Sequence, residues 1–393
     1  MKGESQQTTV PPLTPRQCHE LSLRHSNIDI RVERSQVRCY GDGDFSNFGI
    51  GVQDKIDNCD LLMGIKEVPI ERLMPDKTYI FFSHTIKKQQ RNKGLLKAIL
   101  DKRITLIDYE LLTDDRGMRL IGFGRWAGIV GAHYALLMLG ERTGAYHLKP
   151  AIQCINLQET IDQYYELKFP KAKFLITGGG RVAQGALEIM QHAGIEEVSK
   201  ADFLLKEFAG PVFVQLHSED LYQRKNGEPF DKQHFYRHAA EYETCFKPYF
   251  SKADVLLNCM FWDINAPVLF SPEEALSDAF RIKTIADITC DIPGSIPITL
   301  HETNSADPIY GYYPANNAIG TPYTKDCIDI MAVPNLPNEL PRDASRDFGK
   351  IMMDTVIPHI MHYPDDPFIA RATIAKAGKL MPGFEYLEEW VNS

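Results

Sequence analysis

The sequence predicts an α/β protein of two domains, and three observations carry this prediction. The chain has 393 residues, more than the roughly 250–300 residues that a single hydrophobic core usually serves. Short apolar segments alternate with helical ones in both halves of the chain, as in sheets built from β–α units. Residues 174–187 join a strand, three glycines and an amphipathic helix.

Composition and charge exclude several classes of protein. With 44% hydrophobic and 24% charged residues, the chain is typical of globular domains, and its net charge of -9 argues against nucleic-acid partners. The densest basic run, residues 87–93, reads by itself as a solvated helix start. Residues 1–7 lack the apolar core of a signal peptide, and no run approaches a membrane span of about 20 apolar residues. We therefore expect no membrane partner.

The cysteines and histidines form no recognisable metal site or disulfide framework. The chain has 8 Cys and 12 His, without C-x-x-C or H-E-x-x-H spacing. We expect a reduced, cytoplasmic protein that binds no metal. The sequence leaves open whether the protein is a monomer or a homo-oligomer.

Polar residues follow two predicted strands in the N-terminal part. Strands are predicted at residues 28–32, 59–64, 78–82 and 104–108, and a helix at 93–100. Lys66 and His84 come directly after the second and third of these strands. Ligands of open α/β sheets bind beyond the carboxyl ends of strands, so both residues are placed like site residues. For His84 alone, a buried core histidine is the competing interpretation.

The glycine-rich segment has the spacing G-x-G-x-x-A. Gly178 would make the tight turn and Gly180 would let the backbone approach a pyrophosphate. Arg181 and Val182 then begin the helix, whose first N–H groups would face the phosphates. A merely structural glycine turn is the alternative. The strand-to-helix context favours a dinucleotide site.

Three further cofactor contacts are predicted. Asp202, about 20 positions after the glycines, is the best candidate for the ribose hydroxyls, with Glu196 and Glu197 as rivals and a surface helix charge as the competing interpretation. An acid at that position favours NAD over NADP. Cys259 and Met260 end a strand beside the expected nicotinamide site.

The remaining elements complete a second sheet. A buried helix is predicted at residues 126–139. Continuous apolar strands, as expected for a parallel sheet, are predicted at 212–216, 254–259, 282–287 and 328–333. Residues 307–314 read as an aromatic loop that either lines a pocket or packs in the core, and a helix is predicted from Pro341 to about Ile357.

Several motifs occur in one order around the glycine turn. They are Leu-Thr-Pro at residues 13–15, Gly-Ile-Lys-Glu-Val-Pro at 64–69, Phe-Ser-His-Thr-Ile-Lys at 82–87, Asp-Asp-Arg-Gly at 114–117 and Leu-Pro-Asn-Glu-Leu-Pro-Arg at 336–342. Together they resemble the alanine dehydrogenase and transhydrogenase superfamily. More closely, the chain is similar to the lysine-forming, NAD-dependent saccharopine dehydrogenase branch of that superfamily.

The resemblance implies two Rossmann-like domains with a cleft between them. A discontinuous substrate and catalytic domain would comprise residues 1–140 and 341–393, and an NAD-binding Rossmann domain, residues 141–340, would be inserted. The implied cofactor is NAD, and the implied partner is a small-molecule amino-acid substrate. The implied activity is the reversible oxidative deamination of saccharopine to L-lysine and 2-oxoglutarate.

The resemblance also assigns site residues. Lys66 and His84 would be the acid–base pair. The residues expected to bind substrate carboxylates are Lys87, Gln89 and Arg119, and those expected to tune the pair electrostatically are Glu67 and Glu110. For Arg119, a surface arginine in a turn remains an alternative.

The chemistry of amine oxidation fits these residue types. The reaction requires a base for the amine proton and a group that activates water on the imine. A lysine near other cations has a lowered pKa and can act as a base at neutral pH, and histidine titrates in that range. We assign Lys66 to the amine proton and His84 to the water and carbinolamine steps.

Two positions depart from the family's pattern. Val10 stands where family members carry a carboxylate-binding arginine, for which Arg16 is a possible substitute. Pro334 stands where they carry an acidic residue. Besides a saccharopine dehydrogenase, the sequence therefore leaves open an alanine-dehydrogenase-like enzyme and a nucleotide-binding homologue with impaired catalysis.

Overall fold

The computed structural model describes residues 9–393, so the polar segment 1–7 lies outside the described residues. The chain divides into two compact units. The first runs up to Phe123 and resumes at Pro341–Ser393, and the second is Gly124–Leu340. The predicted division after residue 140 therefore falls inside a helix that clusters with the second unit. The roles of the two domains stay predictions.

The secondary structure alternates between strands and helices. In the described residues the strands are β1 Arg31–Glu33, β2 Gly51–Gln53, β3 Leu61–Met63, β4 Thr78–Phe81, β5 Thr105–Asp108, β6 Lys173–Thr177, β7 Glu196–Glu197, β8 Val212–Leu216, β9 Tyr222–Arg224, β10 Tyr242–Thr244, β11 Val255–Asn258, β12 Thr284–Asp287, β13 Ile309–Tyr313, β14 Ala318–Gly320, β15 Ile328–Met331, β16 Thr373–Lys376 and β17 Lys379–Leu380. The α-helices are α1 Pro15–Arg24, α2 Asp42–Asn47, α3 Lys93–Asp101, α4 Gly124–Thr143, α5 Leu157–Asp162, α6 Arg181–His192, α7 Lys200–Leu205, α8 Ser218–Leu221, α9 Lys232–Arg237, α10 Lys247–Phe250, α11 Pro272–Leu276, α12 Pro341–Ile351, α13 Ile357–Ile360, α14 Pro367–Ala372 and α15 Glu388–Asn392.

The main sheet of the first unit has the strand order β17-β16-β5-β4-β3. Strands β3, β4 and β5 are parallel, and β16 runs antiparallel to β5. One face buries Ile80 and Ile107 with Phe348 of α12, and the other buries Tyr79 with Ile99 of α3. Because both faces are covered, these strands are apolar at nearly every position. The parallel carboxyl ends of β3 and β4 bring the segments after them to one edge of the sheet.

The second unit contains a larger sheet with the order β14-β13-β15-β12-β11-β6-β8-β7. Strands β6, β7, β8, β11, β12 and β15 are parallel, and β13 and β14 are antiparallel additions at one edge. After β6 the chain forms β7 and then β8 on one side of β6, and it later forms β11 on the other side. The carboxyl ends of β6 and β11 therefore form a topological switch point, which is where open α/β sheets bind ligands.

Helix α4 is buried along most of its 20 residues and packs closely on α6. A Cβ at Gly128 would lie 1.9 Å from the Val182 carbonyl oxygen, and one at Gly185 would lie 2.0 Å from the Arg125 carbonyl oxygen. These two glycines let the helices approach at backbone distance. Within residues 9–393, α4 included, no helix is long and apolar enough to cross a membrane.

One predicted loop is a strand. The aromatic segment 307–314 contains β13, which pairs antiparallel with β15, and Tyr310 and Tyr312 are buried. The loop prediction was therefore wrong, because alternating aromatic residues suit a pleated edge next to a hydrophobic strand. The competing interpretation, core packing, is confirmed. The first predicted strand is displaced from residues 28–32 to Arg31–Glu33, where it pairs with β2.

The C-terminal helix begins where it was predicted. Helix α12 starts at Pro341, continues through a π-helical turn at Met352–Val356 and ends as α13. Met352 and Val356 are buried in the same core as Ile107 of β5. The chain thus returns to the first unit after completing the second.

Candidate active site

His84 and Glu67 form a close pair at the carboxyl ends of β3 and β4. The Nδ1 atom of His84 lies 2.6 Å from Oε1 of Glu67. His84 has a φ of 52°, a left-handed conformation that is costly for a residue with a side chain. The amide of Asn92 donates to the His84 carbonyl oxygen at 3.3 Å, which supports this conformation. With Lys66, the pair forms what we call the acid–base cluster (Lys66, Glu67 and His84).

Lys66 is partly buried, and its pKa is lowered. Burial is the largest cause, the charge of Glu67 acts against it, and the charge of Arg91 adds to the lowering. We expected nearby cations to lower this pKa, but desolvation comes first. A lysine in such an environment is neutral in a larger fraction of molecules at neutral pH and can accept a proton.

The carboxyl group of Glu67 is held in its charged form. Burial by itself would raise the pKa of Glu67, but the hydrogen bond from His84, the Glu67 backbone N–H and the charges of His84 and Lys66 together hold it below its usual value. A carboxylate at Nδ1 fixes the histidine tautomer and leaves Nε2 for proton transfer.

A buried polar pair supports the loop that carries His84. The backbone N–H of Ser83 donates to Oδ2 of Asp108 at 3.0 Å, the Ser83 hydroxyl donates to the same atom, and Thr85 lies 2.8 Å from the Ser83 hydroxyl. Burial raises the pKa of Asp108, and the bonds from Ser83 and Glu110 oppose that rise. Sequence reasoning missed this support, although a Ser and a Thr flank His84 in the motif.

Glu110 forms a second charged group with Arg119 and Lys87. Oε1 of Glu110 lies 2.9 Å from Nη2 of Arg119 and 3.9 Å from Nζ of Lys87. Oε2 of Glu110 and Oε1 of Gln89 are buried without a hydrogen-bond partner among the described residues. The structure therefore brings Glu110 together with two of the three predicted carboxylate-binding residues, Arg119 and Lys87. Its tuning of Lys66 and His84 stays a prediction, as does the binding role of Lys87, Gln89 and Arg119.

A large open cavity of about 2140 Å³ lies in the first unit. Its lining includes all three residues of the acid–base cluster, together with Val10 and Arg91. Of the described residues, Lys87, Gln89 and Arg119 are not among those that line it. Arg16, which we considered as a substitute for the arginine missing at Val10, instead forms an exposed ion pair with Glu20 at 3.0 Å on α1.

The glycine turn (Gly178–Gly180) lies at the switch point of the second sheet. Gly178 has a φ of 87°, and a Cβ there would lie 3.0 Å from the Met260 Cα and 3.1 Å from the Cys259 carbonyl oxygen. Its N–H donates to the Leu216 carbonyl oxygen at 2.8 Å. A Cβ at Gly180 would meet no atom within 4 Å. The turn is therefore packed from behind at Gly178 and open at Gly180.

Several residues surround this turn. Arg181 and Val182 occupy the first two positions of α6, for which Gly180 is a cap without a side chain. Cys259 is buried, which raises the pKa of its thiol, and its N–H donates to the Thr177 hydroxyl at 3.1 Å. Met260 is also buried.

Two polar residues beside the turn were missed from the sequence. The Gln215 amide donates to the Gly178 carbonyl oxygen at 2.8 Å, and a Cβ at Gly179 would lie 2.7 Å from Nδ1 of His217. Both residues come from the end of β8, so polar side chains at a strand's carboxyl end were the available signal.

The predicted ribose contact has a different setting from that expected. Asp202 lies in the first turn of α7, where its N–H donates to the hydroxyl of the cap residue Ser199 at 3.1 Å and its carboxylate pairs with Lys206 at 2.9 Å. Its rivals Glu196 and Glu197 form the short strand β7. The choice between them stays a prediction. In residues 9–393, no group of three or more His, Cys, Asp or Glu side chains is arranged to hold a metal ion.

Comparison with known proteins identifies a family and several relatives to which the chain is similar. Residues 4–130 match the family described as "Alanine dehydrogenase/PNT, N-terminal domain". An α-aminoadipic semialdehyde synthase of Arabidopsis thaliana is 32% identical over 96% of this chain and 40% of the plant protein. The chain thus spans less than half the length of that relative.

A second kind of relative is matched over most of its length. A saccharopine dehydrogenase (NAD+, L-lysine-forming) of Emericella nidulans is 25% identical over 88% of this chain and 87% of the fungal protein. Among solved structures, an L-alanine dehydrogenase superposes with a TM-score of 0.64 at 15% identity, covering 99% of this chain and 98% of the other. This likeness confirms the predicted fold of Rossmann-like α/β domains.

Proposed function

We propose that the chain is an NAD-dependent oxidoreductase of lysine metabolism, a homologue of saccharopine dehydrogenases within the alanine dehydrogenase/pyridine nucleotide transhydrogenase superfamily. The reaction is the reversible oxidative deamination of saccharopine to L-lysine and 2-oxoglutarate. Matches that cover 87% and 88% of two saccharopine dehydrogenases support this substrate.

The observation that carries the proposal is the acid–base cluster. Breaking a secondary amine oxidatively needs one base for the amine proton and a second group that handles water. Lys66, with its lowered pKa, and His84, oriented by Glu67 at 2.6 Å, supply two distinct proton-transfer groups within one cavity. A purely structural histidine would not need a charged carboxylate and a partly buried lysine beside it.

Each group has a defined task in the forward direction. Lys66, in its neutral form, takes the proton from the secondary amine of saccharopine, while the C–H bond next to that nitrogen breaks. His84 then takes a proton from the water that adds to the resulting imine carbon. When the carbinolamine collapses, the C–N bond breaks, a proton passes to the leaving nitrogen of lysine, and the new carbonyl is that of 2-oxoglutarate.

The glycine turn fits a dinucleotide. Gly178 has no room for a side chain, Gly180 is open, and α6 begins there without a side-chain cap, so its N–H groups can hold a pyrophosphate. We assign Gly178, Gly180, Arg181 and Val182 to this binding, with Cys259 and Met260 packed behind or beside it. NAD, when bound, supplies the two-electron oxidant.

The proposal is tested by the choice of substrate. Purified protein is mixed with NADH and either lysine plus 2-oxoglutarate or pyruvate plus ammonia, and the absorbance of the reduced cofactor is followed. We expect consumption of NADH in the first mixture. Consumption only in the second would contradict the proposal, as would NADH binding with no turnover in either.

A further inference from the structure

Arg91 is the exception among the arginines that line the cavity of the first unit. The other three lining arginines are ion-paired with carboxylates: Arg31 with Asp29 at 2.8 Å, Arg38 with Asp42 at 2.8 Å, and Arg72 with Glu33.

Within residues 9–393, by contrast, the guanidinium group of Arg91 has no hydrogen bond and no ion pair. Five donors of a planar guanidinium therefore remain available in a cavity that also holds the acid–base cluster.

The position of Arg91 is tied to that cluster. Arg91 lies in the 3-10 turn Gln90–Asn92 that leads into α3. The next residue, Asn92, donates to the His84 carbonyl oxygen at 3.3 Å, so this turn and the loop of His84 are joined. The charge of Arg91 reaches Lys66, whose pKa it helps to lower. Arg91 and the proposed base therefore line one cavity, in which a substrate bound at Lys66 would also face Arg91.

The proposed substrate class carries carboxylates, which are the groups that an unpaired arginine would bind. This inference rests on the proposed function, because 2-oxoglutarate carries one carboxylate next to the reacting carbonyl and a second at its far end. The cavity wall at Val10 is apolar, with the residue 3% exposed, and Arg16 is occupied by Glu20. Neither can meet such a carboxylate in this cavity.

We propose that Arg91 binds a carboxylate of the 2-oxo acid part of the substrate and selects dicarboxylic over monocarboxylic acids. Its planar fork matches a carboxylate through two parallel hydrogen bonds. The sequence of the basic run 87–93 is typical of a solvated helix start, but the basic residues of this run have different surroundings in the structure. Lys87 lies near Glu110, whereas Arg91 serves the cavity.

The test measures binding without turnover. Glutarate and butyrate, which differ by one carboxylate, are titrated into the full-length protein by calorimetry. We expect the wild type to bind glutarate more tightly than butyrate. Arg91→Gln should weaken glutarate binding by about 10- to 100-fold, as expected for a lost charge-assisted bond, and leave butyrate and glutarate nearly equal. Arg91→Lys, which keeps the charge but not the fork, should fall between.

A matched control separates the site from charge in general. Arg24→Gln removes an exposed arginine at the end of α1 that does not line the cavity, and glutarate binding should be unchanged. All variants should unfold at the wild-type temperature, since Arg91 and Arg24 are exposed.

Kinetics distinguish this inference from the proposed function. In the lysine-forming assay run in reverse, Arg91→Gln should raise the KM for 2-oxoglutarate by about 10- to 100-fold with little change in kcat. Unchanged KM and unchanged glutarate binding would overturn the role of Arg91 while leaving the reaction in place. If the protein does not turn over saccharopine but Arg91→Gln loses its selectivity for glutarate, the binding role of Arg91 would be supported and the proposed reaction would be contradicted.

Discussion

The acid–base cluster and the glycine turn differ in what they require of side chains. In the first unit, the proposed function depends on side chains: Glu67 holds His84 at 2.6 Å, and Lys66 is partly buried beside them. In the second unit it depends on missing side chains, since a Cβ at Gly178 would meet the Met260 Cα at 3.0 Å. Both lie at the carboxyl ends of parallel strands.

This difference implies that the two regions fail in different ways. Loss of a side chain in the acid–base cluster should remove a chemical step and leave cofactor affinity intact. Gain of a side chain in the glycine turn should do the reverse. Substitutions that break this separation would show that one region depends on the other.

The largest effect is expected at Lys66. Lys66→Met removes the proposed base while keeping an apolar stem of similar length, and kcat should fall by about 10²- to 10⁴-fold. The affinity for NADH, measured by fluorescence titration, should stay within error of the wild type. Lys97→Met, on the exposed face of α3, is the control and should keep full activity. Equal losses of kcat and NADH affinity would argue against a catalytic role.

The next effect tests the glycine turn. Gly178→Ala adds a Cβ against Met260 at a φ of 87°, so NADH affinity should fall at least about tenfold and the protein should lose about 1–3 kcal/mol of unfolding free energy. Gly194→Ala has a similar strain, with a φ of 67° but no atom within 4 Å. It should lose stability yet bind NADH normally. Normal NADH binding by Gly178→Ala would refute the assignment of this turn.

A smaller effect is expected when Glu67 loses only its charge. Glu67→Gln keeps an acceptor for Nδ1 of His84, and we expect kcat to fall about tenfold with NADH affinity unchanged. Glu71→Gln, an exposed neighbour, should behave like the wild type. A kcat equal to that of the wild type would mean that the charge of Glu67 does not assist His84.

The Glu67→Gln variant also tests a predicted pH dependence of the free energy of unfolding. The pKa of Glu67 is lower in the folded protein than its usual 4.5, so the folded state binds fewer protons at this site than the unfolded state. The stability that the charge contributes is complete above the unfolded pKa and is lost as the pH falls through the folded pKa. Denaturant unfolding should therefore show the wild type ahead of Glu67→Gln at neutral pH, with the gap closing below about pH 4.5.

The smallest effect concerns the pH profile of Lys66. Removing the charge in Arg91→Gln takes away one cause of its lowered pKa, so the pKa should rise towards its usual value. Because the proposed role of Lys66 is that of a base in its neutral form, the rising limb of kcat/KM for saccharopine oxidation should move to higher pH. Arg24→Gln should leave the limb in place. A limb that does not move in Arg91→Gln would separate Arg91 from Lys66.

Local features of the chain were predictable from residue order alone. The strand, turn and helix around Gly178 follow from hydrophobic periodicity and from the left-handed φ that glycine tolerates. Lys66 and His84 were placed at strand ends for the same reason, and their motifs pointed to the superfamily whose N-terminal domain matches residues 4–130. Each of these signals is contained in one short stretch of the sequence.

Contacts between distant residues required the folded chain. The bond between Glu67 and His84 joins two strand ends, and the support of Ser83 by Asp108 spans 25 residues. The proposed role of Arg91 depends likewise on which other arginines of the cavity are ion-paired. The same holds for β13, whose aromatic residues became a strand because β15 lay beside them. Such pairings are set by packing over the whole unit, and periodicity along the chain carries no record of them.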